Sequence, residues 1–247
     1  MDLNRRRFMC VCGGALALGG CGGGEDDTPS QQTAEVHGCT LSAAAGTTAL
    51  PGCGQPQASS GNAGLDQAFR QEFDYQRSFW NLPSVSFAFL SDCDSPNAYA
   101  NPNNMAVLFG TTLAAQTYSK YGTPLPLWQV LAHEFGHMMQ FVYGASWLNS
   151  GTAAPRELEA DMFSGFYLIY AKAFVSPAEM QTSLQQAFSI GDYAYNNQNH
   201  HGTPLQRMAA VVAGGKVANE YFAGAIPQTV DAMRQRFYQE LRQIISW

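Results

Sequence analysis

The chain has 247 residues, of which 46% are hydrophobic and only 13% charged, and its formal net charge is −6. That length suits one sizeable domain with a short appendage, and a charged fraction well below the usual ~25%, alongside many aromatics, is enough to fill a real core. The acidic balance leaves no basic stripe to neutralise phosphates, which argues against nucleic acid as a partner.

The N-terminus is an address rather than structure. "MDLNRRRFM" carries the paired Arg5 and Arg6 ahead of Phe8 and resembles a twin-arginine export signal. The apolar stretch after it is too short for a stable membrane span. It ends in "LGGC", Leu18 to Cys21, which resembles a lipobox whose cysteine is lipidated after cleavage. Residues 1–21 are therefore expected to be removed or processed as an export signal. The product would be periplasmic, in the cell envelope, and held to the membrane through lipid on Cys21; ordinary secretion is the alternative. No other run is apolar enough to be a transmembrane helix. Cys10 and Cys12 leave with the signal. In an oxidising compartment Cys39 and Cys53 are the expected bridge, with Cys93 left over.

Residues 22–62, rich in Gly, Ser, Thr, Gln and Ala, have the composition of a tether. The folded domain is expected over 63–247. It opens with "LDQAFRQEFDYQRSFW", where Leu65, Phe69, Phe73 and Trp80 recur at helical spacing. "SVSFAFL" (Ser84 to Leu90) alternates like a strand, and "MAVLFG" (Met105 to Gly110) suggests a second, more buried one. The intervening "SDCDSPNAYANPNN" is turn material. Asp92 and Asp94 lack the other ligands of a calcium loop and are expected in a solvated turn. From Pro124 onward the pattern is helical, over 125–143, 155–174, 177–189, 204–213 and 229–246, with Pro155 and Pro177 in first turns. A small sheet followed by helices predicts an α+β fold.

The chemistry concentrates in "VLAHEFGHMMQF", Val130 to Phe141. Residues four apart share a helix face, so His133 and His137 project together. Leu127, Leu131, Phe135, Met138 and Val142 form a separate apolar stripe, and the histidines lie off it beside Gln129 and Gln140. That predicts one face for the core and another for a cleft, with Glu134 between them. Gly136 leaves room for a close approach. In "PRELEADMFSGF", Glu157 and Asp161 again share a face while Glu159 points elsewhere. Two imidazoles and a carboxylate leave a fourth position for water, the ligand set of a catalytic zinc. Glu157 would supply the carboxylate, and Asp161 can hold the far nitrogen of a histidine.

HExxH followed by E-x-x-x-D resembles the glutamate-zincin metallopeptidases. More narrowly, "VLAHEFGHMMQ", "ELEADMFSGFY" and "HGTPLQR" in that order resemble the bacterial neutral zinc metallopeptidase family. "SPNAYANP" and "ELEAD" are also similar to the CAAX-type proteases, without their membrane helices. The likeness runs from about Ser84 to Met208 and leaves out the tether and the last helix. It implies a zincin-like domain, a small sheet followed by a mostly helical part. It also implies that His201 and Arg207 stabilise an oxyanion and brace the site, with His200 the alternative to His201. "HGTP" also reads as a helix start capped by Thr203. The strand 105–110, or "NAYA" before it, would offer backbone groups to an extended peptide.

The resulting expectation is a metalloendopeptidase with one zinc ion on His133, His137 and Glu157, Glu134 as general base, and a peptide or unfolded protein as substrate. The alternatives are a metal-binding lipoprotein acting as an envelope binding or assembly factor, and a hydrolase of some other bond.

Overall fold

The computed structural model describes residues 56–92, 96–144, 151–172 and 176–246. The export signal, Cys21, the Cys39–Cys53 bridge, Cys93 and Asp94 lie outside these residues. The described elements, in order, are β1 (Pro56–Gln57), α1 (Ala63–Phe79), β2 (Ser86–Leu90), β3 (Ala98–Asn101), β4 (Ala106–Gly110), α2 (Thr111–Tyr121), α3 (Leu125–Tyr143), α4 (Ala154–Ala171), α5 (Pro177–Ser189), α6 (Pro204–Phe222) and α7 (Val230–Ile245). The fold is mixed α+β: one four-stranded sheet of order β1-β2-β4-β3 with α2 and α3 against it, and α4 to α7 packed on α3 and on one another.

The sheet is mixed in direction. β2 runs parallel to β4, Phe89 opposite Phe109, while β3 pairs antiparallel with β4 and β1 antiparallel with β2. β1 falls inside the segment expected to be tether, and α1 follows it at once, capped by the Asn62 side chain. Phe69 of α1 is fully buried among Phe87, Phe89, Phe109 and Trp128, its ring centroid 4.6 Å from that of Phe109 and 5.0 Å from that of Trp128. This cluster joins α1, the sheet and α3, and burial of such rings is the largest stabilising contribution a small domain has. Further along, Trp80 meets Phe163 of α4, which meets Phe237 of α7.

Three local readings need correction. First, "SDCDSPNAYANPNN" is not all turn. Ala98–Asn101 forms β3, and its signal is weak because alternating small alanines carry little strand propensity between proline and asparagine. Second, Asp92 is not solvated. It is buried, with Oδ1 accepting from the Thr112 N–H at 2.8 Å and Oδ2 from the Leu113 N–H at 3.0 Å. It thereby caps α2 from twenty residues upstream. The residue before α2 is Gly110, which offers no side-chain cap, so the sequence shows no local start signal for that helix. Third, α6 runs through Gly214 and Gly215 to Phe222 rather than stopping at 213.

The glycines explain that continuation. A Cβ on Gly214 would stand 2.0 Å from the Met162 carbonyl oxygen, and one on Gly165 would stand 1.9 Å from that of Val211. α4 and α6 therefore pack backbone to backbone along a glycine seam. A third close approach joins α3 to α4, where a Cβ on Gly136 would come within 2.9 Å of Ala160 Cα. Gly165→Ala and Gly136→Ala are each expected to destabilise the fold by about 1–3 kcal/mol through overpacking. Gly64→Ala, whose Cβ would meet only an ordinary 3.5 Å contact, should be neutral or stabilising. Denaturant midpoints of the three variants check this.

Candidate metal centre

α3 is enclosed more completely than its apolar stripe suggests. Every residue from Leu125 to Gln140 is buried, so the histidine face meets protein rather than an open cleft. That face meets the first turns of α4. The Gly136–Ala160 contact brings the two helix axes close, with His133 and His137 flanking the crossing on one side and Glu157 and Asp161 on the other.

The result is a convergent set. His133 Nε2 stands 3.3 Å from Glu157 Oε2, and His137 Nε2 stands 3.5 Å from Glu157 Oε1. One ligand atom from each of the three residues lies within 4.8 Å of the others, and all three side chains are buried. Such a group can hold a metal ion. The hydrogen bonds say more. His133 Nδ1 is 2.8 Å from Asp161 Oδ1, and His137 Nδ1 is 2.9 Å from Gln140 Oε1. Carboxylate and amide oxygens only accept, so each Nδ1 carries the proton and donates. Each Nε2 of the neutral rings is then a lone pair aimed at a carboxylate. Acceptors facing acceptors in a buried space are satisfied by a cation between them. The charge balance agrees: Glu134, Glu157 and Asp161 are buried with Arg207, so carboxyls outnumber the guanidinium by two.

Arg207 comes from the first turn of α6, whose start is set by a capping box between Thr203 and Gln206. It is fully buried and grips Asp161 with two bonds, Nε to Oδ2 at 2.6 Å and Nη2 to Oδ1 at 2.8 Å. Its Nη1 lies 3.7 Å from Glu157 Oε2. Arg207 thus braces the two acids of α4. His201 arrives on the loop before α6. Asp192 holds that loop, accepting from the His201 N–H at 2.9 Å and contacting His200 Nδ1 at 2.6 Å. Gly202 adopts a φ of +97° against Leu158, a conformation that favours glycine. His201 Nδ1 ends 3.4 Å from Glu157 Oε2, while its Nε2 is buried without a hydrogen-bond partner among the described residues. His200 is committed to Asp192 instead. Glu134 is fully buried, one residue past His133. Gln129, one turn before His133, has both amide atoms buried and unpartnered among the described residues.

Burial pushes the Glu157 carboxyl upward, but the imidazole of His137 and the contacts from His133 and His201 outweigh it and hold the group well below its usual range. Burial likewise raises Asp161, and the Arg207 guanidinium, with the adjoining His133 ring and the hydrogen bonds from both, more than reverses it, leaving the group lowered. Glu159 goes the other way: burial dominates the pull of Arg234 and its pKa is raised.

Sequence reading passed over Glu159, Arg234 and Asp192 as contributors. Gln140 is legible at i+3 from His137, but Arg234 and Asp192 carry no local signal. Comparison with protein-family models, curated proteins and solved structures gives no match for this chain.

Because Asp161 is lowered in the folded state, its contribution to stability is present above the unfolded value of about 3.9 and is lost as pH falls through the folded value. In chelator-treated protein, Asp161→Asn should therefore cost about 3–5 kcal/mol near neutral pH, since it strands the buried Arg207. That deficit should shrink as pH falls below about 4, where the unfolded wild-type chain takes up a proton on Asp161 while the folded carboxylate, its pKa lowered, still resists protonation. Urea unfolding followed from pH 7 to pH 3 measures both.

Proposed function

We propose that the chain is a zinc-dependent peptidase with a zincin-like domain, exported and lipid-anchored through Cys21. The carrying observation is the convergence of His133, His137 and Glu157, with both Nδ1 atoms already committed as donors. Two imidazoles and a carboxylate suit zinc better than the harder cations, which prefer all-oxygen sites. The HExxH and E-x-x-x-D pattern, its resemblance to the neutral zinc metallopeptidases, and a small sheet ahead of the motif helix support the same reading. The lipid anchor is read from the N-terminal signal; among the described residues no helix is long and apolar enough to cross a membrane.

A zinc ion, when bound, supplies an acidified water and polarises the scissile carbonyl. Glu134, next to His133, takes the proton from the attacking water and returns it to the leaving amine. His201, with neither ring nitrogen in a hydrogen bond among the described residues, can carry its proton on Nε2 and donate it to the developing oxyanion. Arg207 is engaged with Asp161 and keeps the His133 ring in one tautomer. Among the described strands β3 is the outer one of the sheet, paired with β4, and an extended peptide would add to the sheet on that side. The unpartnered amide of Gln129 offers a peptide group both a donor and an acceptor.

A second reading, a metal-binding envelope factor that does not cleave, draws on the complete burial of all three ligands. Glu134→Gln separates the two. For a peptidase, elemental analysis finds zinc retained while cleavage of an unfolded protein falls about 10²–10⁴-fold. Unchanged cleavage would overturn the mechanism, and zinc-loaded wild type that cleaves nothing favours the binding factor. For either reading, adding zinc at 100 times its Kd to chelated protein should add about 2.7 kcal/mol of stability.

A further inference from the structure

His133 is not the only ligand with a brace behind it. Behind His137 a second polar chain runs through three helices. Gln140 Oε1 accepts from His137 Nδ1, so the amide's Nε2 must donate, and it does so to the Arg156 carbonyl at 2.8 Å and to Glu159 Oε2 at 3.0 Å. The other Glu159 oxygen accepts from Arg234 of α7, from Nε at 3.1 Å and from Nη2 at 2.9 Å. The remaining reach of the guanidinium goes to the end of α3: Nη1 donates to the Tyr143 carbonyl and Nη2 to the Gly144 carbonyl, both at 2.8 Å. Gln140, Glu159 and Arg234 are all buried.

The chain has only one direction. A guanidinium can only donate, which makes Glu159 the acceptor, which orients the Gln140 amide, which places the proton of His137 on Nδ1. That leaves Nε2 as the lone pair facing Glu157. We propose that Arg234 is a positioning residue for the metal centre: acting through Glu159 and Gln140, it fixes the tautomer and ring orientation of His137. The C-terminal helix, which lies outside the motif region, is then part of the site. Without Arg234 the Glu159 carboxylate keeps only the Gln140 amide as a hydrogen-bond partner among the described residues. The Gln140 amide can then turn its NH₂ toward His137 and favour the tautomer that blocks Nε2. The inference rests on the proposed zinc site.

The test uses the full chain, with zinc affinity measured by chelator competition and the visible absorption of the Co²⁺-loaded protein as a report on ligand geometry. Gln140→Leu should weaken zinc binding about 10–100-fold, and Arg234→Met on the order of 10-fold, with altered Co²⁺ bands in both. Arg234→Lys should fall between wild type and Arg234→Met, because one ammonium cannot make the forked contact. In a Gln140→Leu background, Arg234→Met should cost nothing further, as the chain is already cut. Leu241→Ala, a buried apolar variant two turns along α7 from Arg234, should lower the Tm and leave affinity unchanged.

Four results would overturn the inference: Arg234→Met binding zinc within twofold of wild type, independent losses in the double variant, Leu241→Ala weakening zinc as much as Arg234→Met, or no zinc binding by wild type. The last also sinks the proposed function; the first three leave it standing. If Arg234→Met does not fold, Arg234→Lys alone and with Gln140→Leu reads the same coupling.

Discussion

The molecule turns on one contact, the meeting of α3 and α4 at Gly136 and Ala160, where a side chain on the first would strike the backbone of the second. Helix axes usually stand 8–10 Å apart, set by the side chains between them. Removing the side chain at the crossing lets two histidines on one helix and two acids on the next share a single small volume. Had residue 136 carried even a methyl group, the helices would have to shift, and imidazole-to-carboxylate distances of 3.3 and 3.5 Å would be lost. The same device recurs between α4 and α6, where Gly165 and Gly214 bring Arg207 against Asp161. Close packing of backbones, more than the apolar stripe on α3, decides where the charged groups end up.

Burying so many polar groups is stable only if each has a partner. Behind His133 stand Asp161 and Arg207; behind His137 stand Gln140, Glu159 and Arg234. Each histidine thus backs onto an acceptor and, through acids, onto a buried arginine whose direction of donation cannot reverse. The arginines come from α6 and α7, so the two C-terminal helices orient ligands carried by α3. Such convergence also ties site geometry to global folding, because the His133 brace needs α6 docked and the His137 brace needs α7 docked.

Aspartates organise the loops in a related way. Asp92 closes the start of α2 across twenty residues, and Asp192 gathers His200, His201 and the turn before α6. In both cases a carboxylate satisfies backbone N–H groups that would otherwise be left buried without an acceptor. The first stabilises the junction between β4 and α2, and the second delivers His201 to Glu157.

The sequence by itself determined the helices from α3 onward nearly to the residue at several ends, because their apolar spacing, first-turn prolines and the Ser176 and Thr203 caps are all local signals. It also determined that His133 and His137 share a face, and Glu157 and Asp161 another, since helical geometry alone requires it. β3 and α2 escaped it: one is built on alanines of little propensity, the other is capped by a residue far upstream. Only the tertiary structure decided that the histidine face is enclosed, that glycines in α6 mark a packing seam rather than a helix end, and that Glu159 and Arg234 stand behind His137. These depend on contacts between segments distant in the chain, and spacing along a sequence carries no information about which distant backbone will come close.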